Sequence, residues 1–222
     1  MLRIAIDGPG GTGKSTIAKE VAKRLGIEYI DTGAMYRAIA LKSLTTGTAP
    51  DDESGIREML ADTEIDFRGG KIYLDGNDVS GSIRTGEISM RASSVSKLAD
   101  VRSKVDKLSK HLASTRDVVM EGRDIGTAVI PDAEVKIFMT ADARVRAERR
   151  YNQLLEAGKE ADLESIYNEI QERDYQDSHR EINPLKQADD AVYLDTTDMS
   201  IKENIEAVLN IAAERTEAES DE

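Results

Sequence analysis

Residues 2–26 constrain this chain more than any other stretch. Leu2-Arg3-Ile4-Ala5-Ile6 is a short apolar run. Gly8-Pro9-Gly10-Gly11-Thr12-Gly13-Lys14-Ser15 follows at once, and Ile17, Val21, Ala22 and Leu25 then recur at helical spacing before Gly26. That order predicts a buried strand, a tight glycine turn and a helix stopped by Gly26. The turn fits G-x-x-x-x-G-K-[ST]. Its glycines let backbone N–H groups face an anion, and the helix N-terminus adds a favourable dipole. Lys14 is expected to reach the β and γ phosphates of a nucleoside triphosphate, and the Ser15 hydroxyl to ligate Mg²⁺. Gly8, Pro9, Gly10, Gly11, Thr12, Gly13 and Thr16 complete the expected cradle.

The same residues also spell G-x-G-x-x-G through Gly8, Gly10 and Gly13, and Asp31 ends the next strand roughly 20 residues on, where a dinucleotide fold keeps its ribose carboxylate. Gly13-Lys14-Ser15 decides against that reading. A dinucleotide turn needs no lysine opening its helix, whereas triphosphate binding does.

The chain has 222 residues, enough for one α/β core with an insertion, and no cysteine, which excludes disulfides and thiolate chemistry. His111 and His179 read as solvated helix residues. A formal charge of −13 argues against nucleic acid as a partner. No apolar run is long enough for a membrane span, and a strand starting at residue 2 leaves no room for a signal peptide, so a cytoplasmic protein is expected.

Strands are expected at Arg3–Asp7, Glu28–Asp31, Val118–Glu121, Val135–Met139 and Ala191–Leu194. Helical stretches separate most of them, which predicts an α/β fold with a central parallel five-stranded sheet flanked by helices. Asp7, Asp31 and Glu121 then fall at strand C-termini, expected to point toward one crevice. Between the second and third strands lie a helix near Ala34–Leu44, an acidic loop Pro50-Asp51-Asp52-Glu53 and a hairpin over Glu64–Val79 turned by Gly69-Gly70 and Asp75-Gly76. One helix near Ala92–Ser114 follows, striped by Leu98, Val101, Val105, Leu108 and Leu112. From Ala143 to Arg180 run two helices broken at Gly158, with Arg144, Arg146, Arg149 and Arg150 on the first. Arg146 and Arg150 share a helical face, where like charges repel, so that face is expected to meet an anion. The organisation expected is a core of 1–32, 115–145 and 187–222, an insertion over 33–114 and a helical lid with its following helix over 146–186. The acidic tail Thr216–Glu222 reads as disordered.

Four segments together resemble the bacterial cytidylate kinases, a P-loop family of nucleoside monophosphate kinases. They are Ile6-Asp7-Gly8-Pro9-Gly10, Asp31-Thr32-Gly33-Ala34-Met35-Tyr36-Arg37, Glu121-Gly122-Arg123-Asp124-Ile125-Gly126-Thr127 and Glu172-Arg173-Asp174. The first is shared by many triphosphate enzymes; the second and third are far more specific. The resemblance implies transfer of the ATP γ-phosphoryl group to CMP or dCMP with Mg²⁺, by a monomer whose partners are free nucleotides. It implies a monophosphate-binding insertion and a mobile lid.

By motif match, Thr32, Tyr36 and Arg37 would border the CMP site, with Arg37 and Arg123 gripping its phosphate. Ser93, Arg102 and Asp124 resemble positions that meet cytosine, and Arg173, Asp177 and Arg180 those serving ribose and phosphate. Lys14, Arg123 and Arg173 would carry the transfer. Asp31 and Glu121 are candidates for ordering the waters of the metal. Asp124 suits the cytosine amino group, because uracil offers a carbonyl there and would leave a buried carboxylate unpaired. Other readings are a kinase for UMP or AMP, and a GTP-driven switch. The switch lacks the Asn-Lys-x-Asp run that reads guanine.

Overall fold

A computed structural model of the chain describes residues 1–220. Eight strands and eight α-helices succeed one another among these residues. The central sheet has five strands in the order β2-β6-β1-β7-β8: β1 (Arg3–Asp7), β2 (Glu28–Asp31), β6 (Val118–Gly122), β7 (Val135–Thr140) and β8 (Val192–Asp195). The expected strands all form, each within a residue or two. β1 runs parallel to β6 and to β7, and β7 parallel to β8. Ile4, Ile6, Val118, Val119, Met120, Val135, Ile137 and Met139 are fully buried, as strands covered on both faces require.

The chain divides into two compact units, Met1–Ile27 with Asp117–Glu222, and Glu28–Arg116. In the first, α1 (Lys14–Leu25) buries Ile17, Ala18, Val21 and Ala22 against β1, β6 and α8 (Ile201–Ser220). α6 (Ala143–Glu156) and α7 (Leu163–His179) pack on each other, parted at Gly158 as the sequence predicts. His111 and His179 are exposed on helices, also as expected. The tail departs from expectation. α8 runs to Ser220, because Ala and Glu favour continuing a helix already nucleated by the buried Ile205, Val208 and Ala212; residues 221–222 lie outside the described ones.

In the second unit, α2 (Thr32–Thr45) is the central element, with α3 (Glu53–Ala61), α4 (Gly86–Val95) and α5 (Ala99–Thr115) packed on it or on one another. The predicted hairpin is present as β3 (Ile65–Arg68), β4 (Lys71–Leu74) and β5 (Asn77–Asp78), antiparallel in that order. Gly69 and Gly70, at φ 58° and 71°, supply the two left-handed residues of its first turn. One expectation fails here and one element is unforeseen. The acidic loop is present over Pro50, Asp51 and Asp52, but its last residue, Glu53, opens α3, since the Asp52 side chain accepts the Gly55 N–H at 3.0 Å and caps a helix. The single long helix is two, α4 and α5. The Ser96 and Leu98 N–H groups close back on Ala92 and Val95 and end α4, so Leu98 caps α5 instead of joining its stripe.

No helix among the described residues is long and apolar enough to cross a membrane.

Candidate active site

The glycine loop joins β1 to α1. Gly8 sits at φ 144°, and a Cβ there would be driven into the carbonyl oxygen of Met139 on β7, so only glycine lets the loop leave the sheet at this point. Gly13, at φ 92°, caps α1, and no side chain occupies the cap. The helix therefore opens with backbone donors turned outward and with Ser15 and Thr16 exposed beside them, an arrangement suited to phosphate oxygens. Lys14 folds back beneath the loop. Its Nζ donates to the Pro9 carbonyl at 2.6 Å and to Thr12 Oγ1 at 3.3 Å. Burial, and then the Arg123 guanidinium, hold the Lys14 ammonium down at about 7, against the pull of Glu121, Asp7 and Asp177. A cation disfavoured in this way gains most when a polyanion arrives.

After β6 the chain makes a π-helical turn, Ile125–Val129, a rare conformation that is frequent at functional sites. The two residues before it face α7. Arg123 donates through Nε to Asp177 Oδ2 at 2.9 Å, and Arg180 through Nη2 to Asp124 Oδ1 at 3.1 Å. Burial works against the charge on Asp177, but Arg123 first, then Arg173 and Arg180, keep its carboxyl below the usual range. Arg123 also borders the loop: a Cβ on Gly10 would come within 3.4 Å of its Nη2. Lys14, Glu121, Arg123, Asp124, Asp177 and Arg180 thus form one cluster of alternating charge around the loop. Arg173 is exposed on α7, one turn before Asp177.

The remaining expected residues belong to the second unit. Asp31 caps α2, accepting the Ala34 N–H at 2.9 Å on Oδ1 and Arg37 Nη2 at 2.7 Å on Oδ2. Thr32 is buried in the first turn of α2, one turn before Tyr36. Arg102, on α5, is 2% exposed and lies with its guanidinium carbon 5.6 Å from the Tyr36 ring centroid, within cation–π range; its Nη1 donates to the Ser96 carbonyl. Ser93 lies on α4, partly exposed.

Two expectations about single charges fail. Asp7 does not open onto a crevice: it is 4% exposed, and its two oxygens accept the Ile125 and Gly126 N–H groups at 2.8 and 2.7 Å. Burial pushes its carboxyl up to about 6 in spite of those donors. Arg146 and Arg150 do not form one anion-seeking face. Arg150 is exposed, whereas Arg146 is buried, donating to the Gly10 carbonyl at 2.9 Å, the Ala141 carbonyl at 2.9 Å and both oxygens of Asp174. Its charge is neutralised by a carboxylate 28 residues away, which helical spacing could not reveal. A Cβ on Gly11 would meet the Arg146 side chain at 3.3 Å, so this arginine also backs the loop.

For a metal, among the described residues no group of three or more acidic, histidine or cysteine side chains could cage an ion. The Ser15 hydroxyl is a hard oxygen donor at the open helix start, and it fits Mg²⁺ bound chiefly through phosphate oxygens and water. Asp31 has both oxygens engaged by its own helix and Arg37.

A phosphate-cradling loop on a parallel sheet flanked by helices defines the P-loop class of nucleotide-binding folds. The solved structures agree on that fold. A shikimate kinase from Bacteroides thetaiotaomicron superposes with a TM-score of 0.51 at 14% identity, covering 97% of this chain and 98% of its own. A gluconokinase from Sinorhizobium meliloti 1021 gives 0.50 at 16% identity, covering 98% and 94%. In sequence, the family described as cytidylate kinase matches residues 4–214. The cytidylate kinase of Thermosipho melanesiensis is 46% identical over 213 residues, 96% of this chain and 97% of its own. That of Caldicellulosiruptor saccharolyticus is 48% identical over 214 residues, 95% of each. The chain belongs to the cytidylate kinase family.

Proposed function

We propose that this protein transfers the γ-phosphoryl group of ATP to CMP or dCMP, forming ADP and CDP or dCDP. Family membership supports the substrates. The observation that carries the mechanism is the pairing of buried Lys14 with Arg123 beside the glycine loop, two cations with Asp177 and Glu121 as their counter-charges. Lys14 would hold the β and γ phosphates of ATP, and backbone N–H groups of the glycine loop the rest of the chain of phosphates. Ser15 would contribute one oxygen to Mg²⁺, which neutralises charge developing on the transferring group. Glu121 would order its waters, and Asp31 less so, given its occupied oxygens.

Arg123 and Arg37 would grip the phosphate of CMP. Thr32 and Tyr36 would border it, and Asp177 and Arg180 would serve its ribose and phosphate. Asp124 would accept from the cytosine amino group, and Ser93 and Arg102 would, as the family resemblance implies, meet the base. The attacking phosphate oxygen is largely ionised near neutral pH, since its second pKa is about 6, so no side chain need remove a proton. Catalysis is then positioning and charge stabilisation, with Arg173 meeting the transferring group when α6 and α7 close over it.

A panel of CMP, dCMP, UMP and AMP, each given with ATP and followed by ADP formation, tests the reading. ADP should appear fastest with CMP or dCMP and only slowly with no acceptor. Rapid turnover with AMP and none with CMP would overturn it.

A further inference from the structure

We infer that Asp7 is a positioning residue for the phosphoryl acceptor: its carboxylate, spanning the Ile125 and Gly126 N–H groups, holds the Arg123-Asp124 turn in register with the glycine loop. The inference rests on the function proposed above. The β1–β6 ladder ends at the pair Asp7 and Gly122. The next two residues, Arg123 and Asp124, therefore have no ladder to fix them, and they are the residues expected to meet CMP. The π-helical turn that follows has no cap from its own preceding side chain.

The side chains of Arg123 and Asp124 are held by Asp177 and Arg180; Asp7 restrains the backbone that carries them. Each oxygen accepts one N–H, at 2.8 and 2.7 Å, from residues 118 and 119 positions away in the chain. Because Asp7 is also the residue before Gly8, one rigid group ties the start of the phosphate cradle to the start of the acceptor turn. Only a carboxylate makes both bonds: an amide accepts with its oxygen but presents N–H groups to the second donor. A shift of about 1 Å between donor and acceptor groups costs on the order of 10²-fold in rate.

Two variants address this contact from opposite sides. Asp7→Asn removes one acceptor in place. Gly126→Ala adds a Cβ in ordinary contact with Asp7 Oδ2, at 3.5 Å, but tight against Lys136 Cδ, at 3.3 Å, so that Lys136 or the turn that carries the bond must give by a few tenths of an ångström. For Asp7→Asn we expect the KM for CMP to rise about tenfold and kcat to fall by on the order of 10–10²-fold, with the Kd for ATP within about threefold of the parent. Gly126→Ala should move the same constants in the same direction by less, and it decides the matter if Asp7→Asn does not fold. Folded variants that keep the parent's CMP constants overturn the inference. So does an ATP affinity that falls as far as CMP affinity, which would make Asp7 part of the loop alone. A parent that makes no ADP with CMP fails earlier and differently: it removes the functional reading, and this inference with it, before any variant is compared.

Discussion

Lys14 is a basic residue that the fold holds against its own charge. Burial and Arg123 bring it to about 7 from an ordinary 10.5. A lysine lowered on folding loses stability as the pH falls from its unfolded value to its folded one, and the full cost persists below that. The cost is small near pH 10, grows as the pH falls, and levels off below about 7. Lys14→Met removes that titration together with two hydrogen bonds, and the hydrogen-bond loss is the same at either pH. Thermal melts of the unliganded protein should therefore show the variant gaining on the parent between pH about 10 and about 8. A parent–variant difference independent of pH would contradict a strained ammonium. On the function proposed, in which the Lys14 charge would hold the γ phosphate, the same variant should lose turnover by about 10²–10³-fold.

At the scale of elements, the junction of β1, the loop and α1 is the most constrained part of the chain. Gly8→Ala places a methyl group against the Met139 carbonyl and strains a backbone at φ 144°, so neither neighbour can relieve it without moving β7. We expect a loss of about 3 kcal/mol or more, measured by denaturant unfolding, where an ordinary exposed Gly→Ala costs a fraction of that. Wild-type stability in Gly8→Ala would mean that the loop leaves the sheet differently. The five core strands, the hairpin turns and the break at Gly158 were legible because periodicity and turn chemistry are local. α3 and the break between α4 and α5 were not read correctly. Asp52-Glu53-Ser54-Gly55 looks like a loop until its carboxylate turns inward as a cap, and Val95–Leu98 contains neither glycine nor proline to mark a stop.

At the scale of the whole molecule, the kinase must keep its phosphoryl group from water until an acceptor arrives. Arg173 is exposed on α7 and close enough in charge to help hold Asp177 ionised; on the function proposed, it would join the site when α7 closes. Arg173→Ala should lower kcat by on the order of 10²-fold while leaving the ATP Kd within a few-fold, read by steady-state kinetics beside equilibrium binding. Equal losses in both would assign Arg173 to ATP binding instead.

The sequence by itself determined the phosphate loop, the parallel α/β core and, through Asp31–Arg37 and Glu121–Thr127, the family. Those features are written in residues adjacent along the chain, where spacing and conformational preference act directly. Tertiary structure alone decided what the individual charges do. Asp7 braces a turn 118 residues away, and Arg146 backs the loop against Asp174 instead of awaiting an anion. A buried charge is stable only with a partner, and the partner is chosen by which distant segments the sheet and helices bring together.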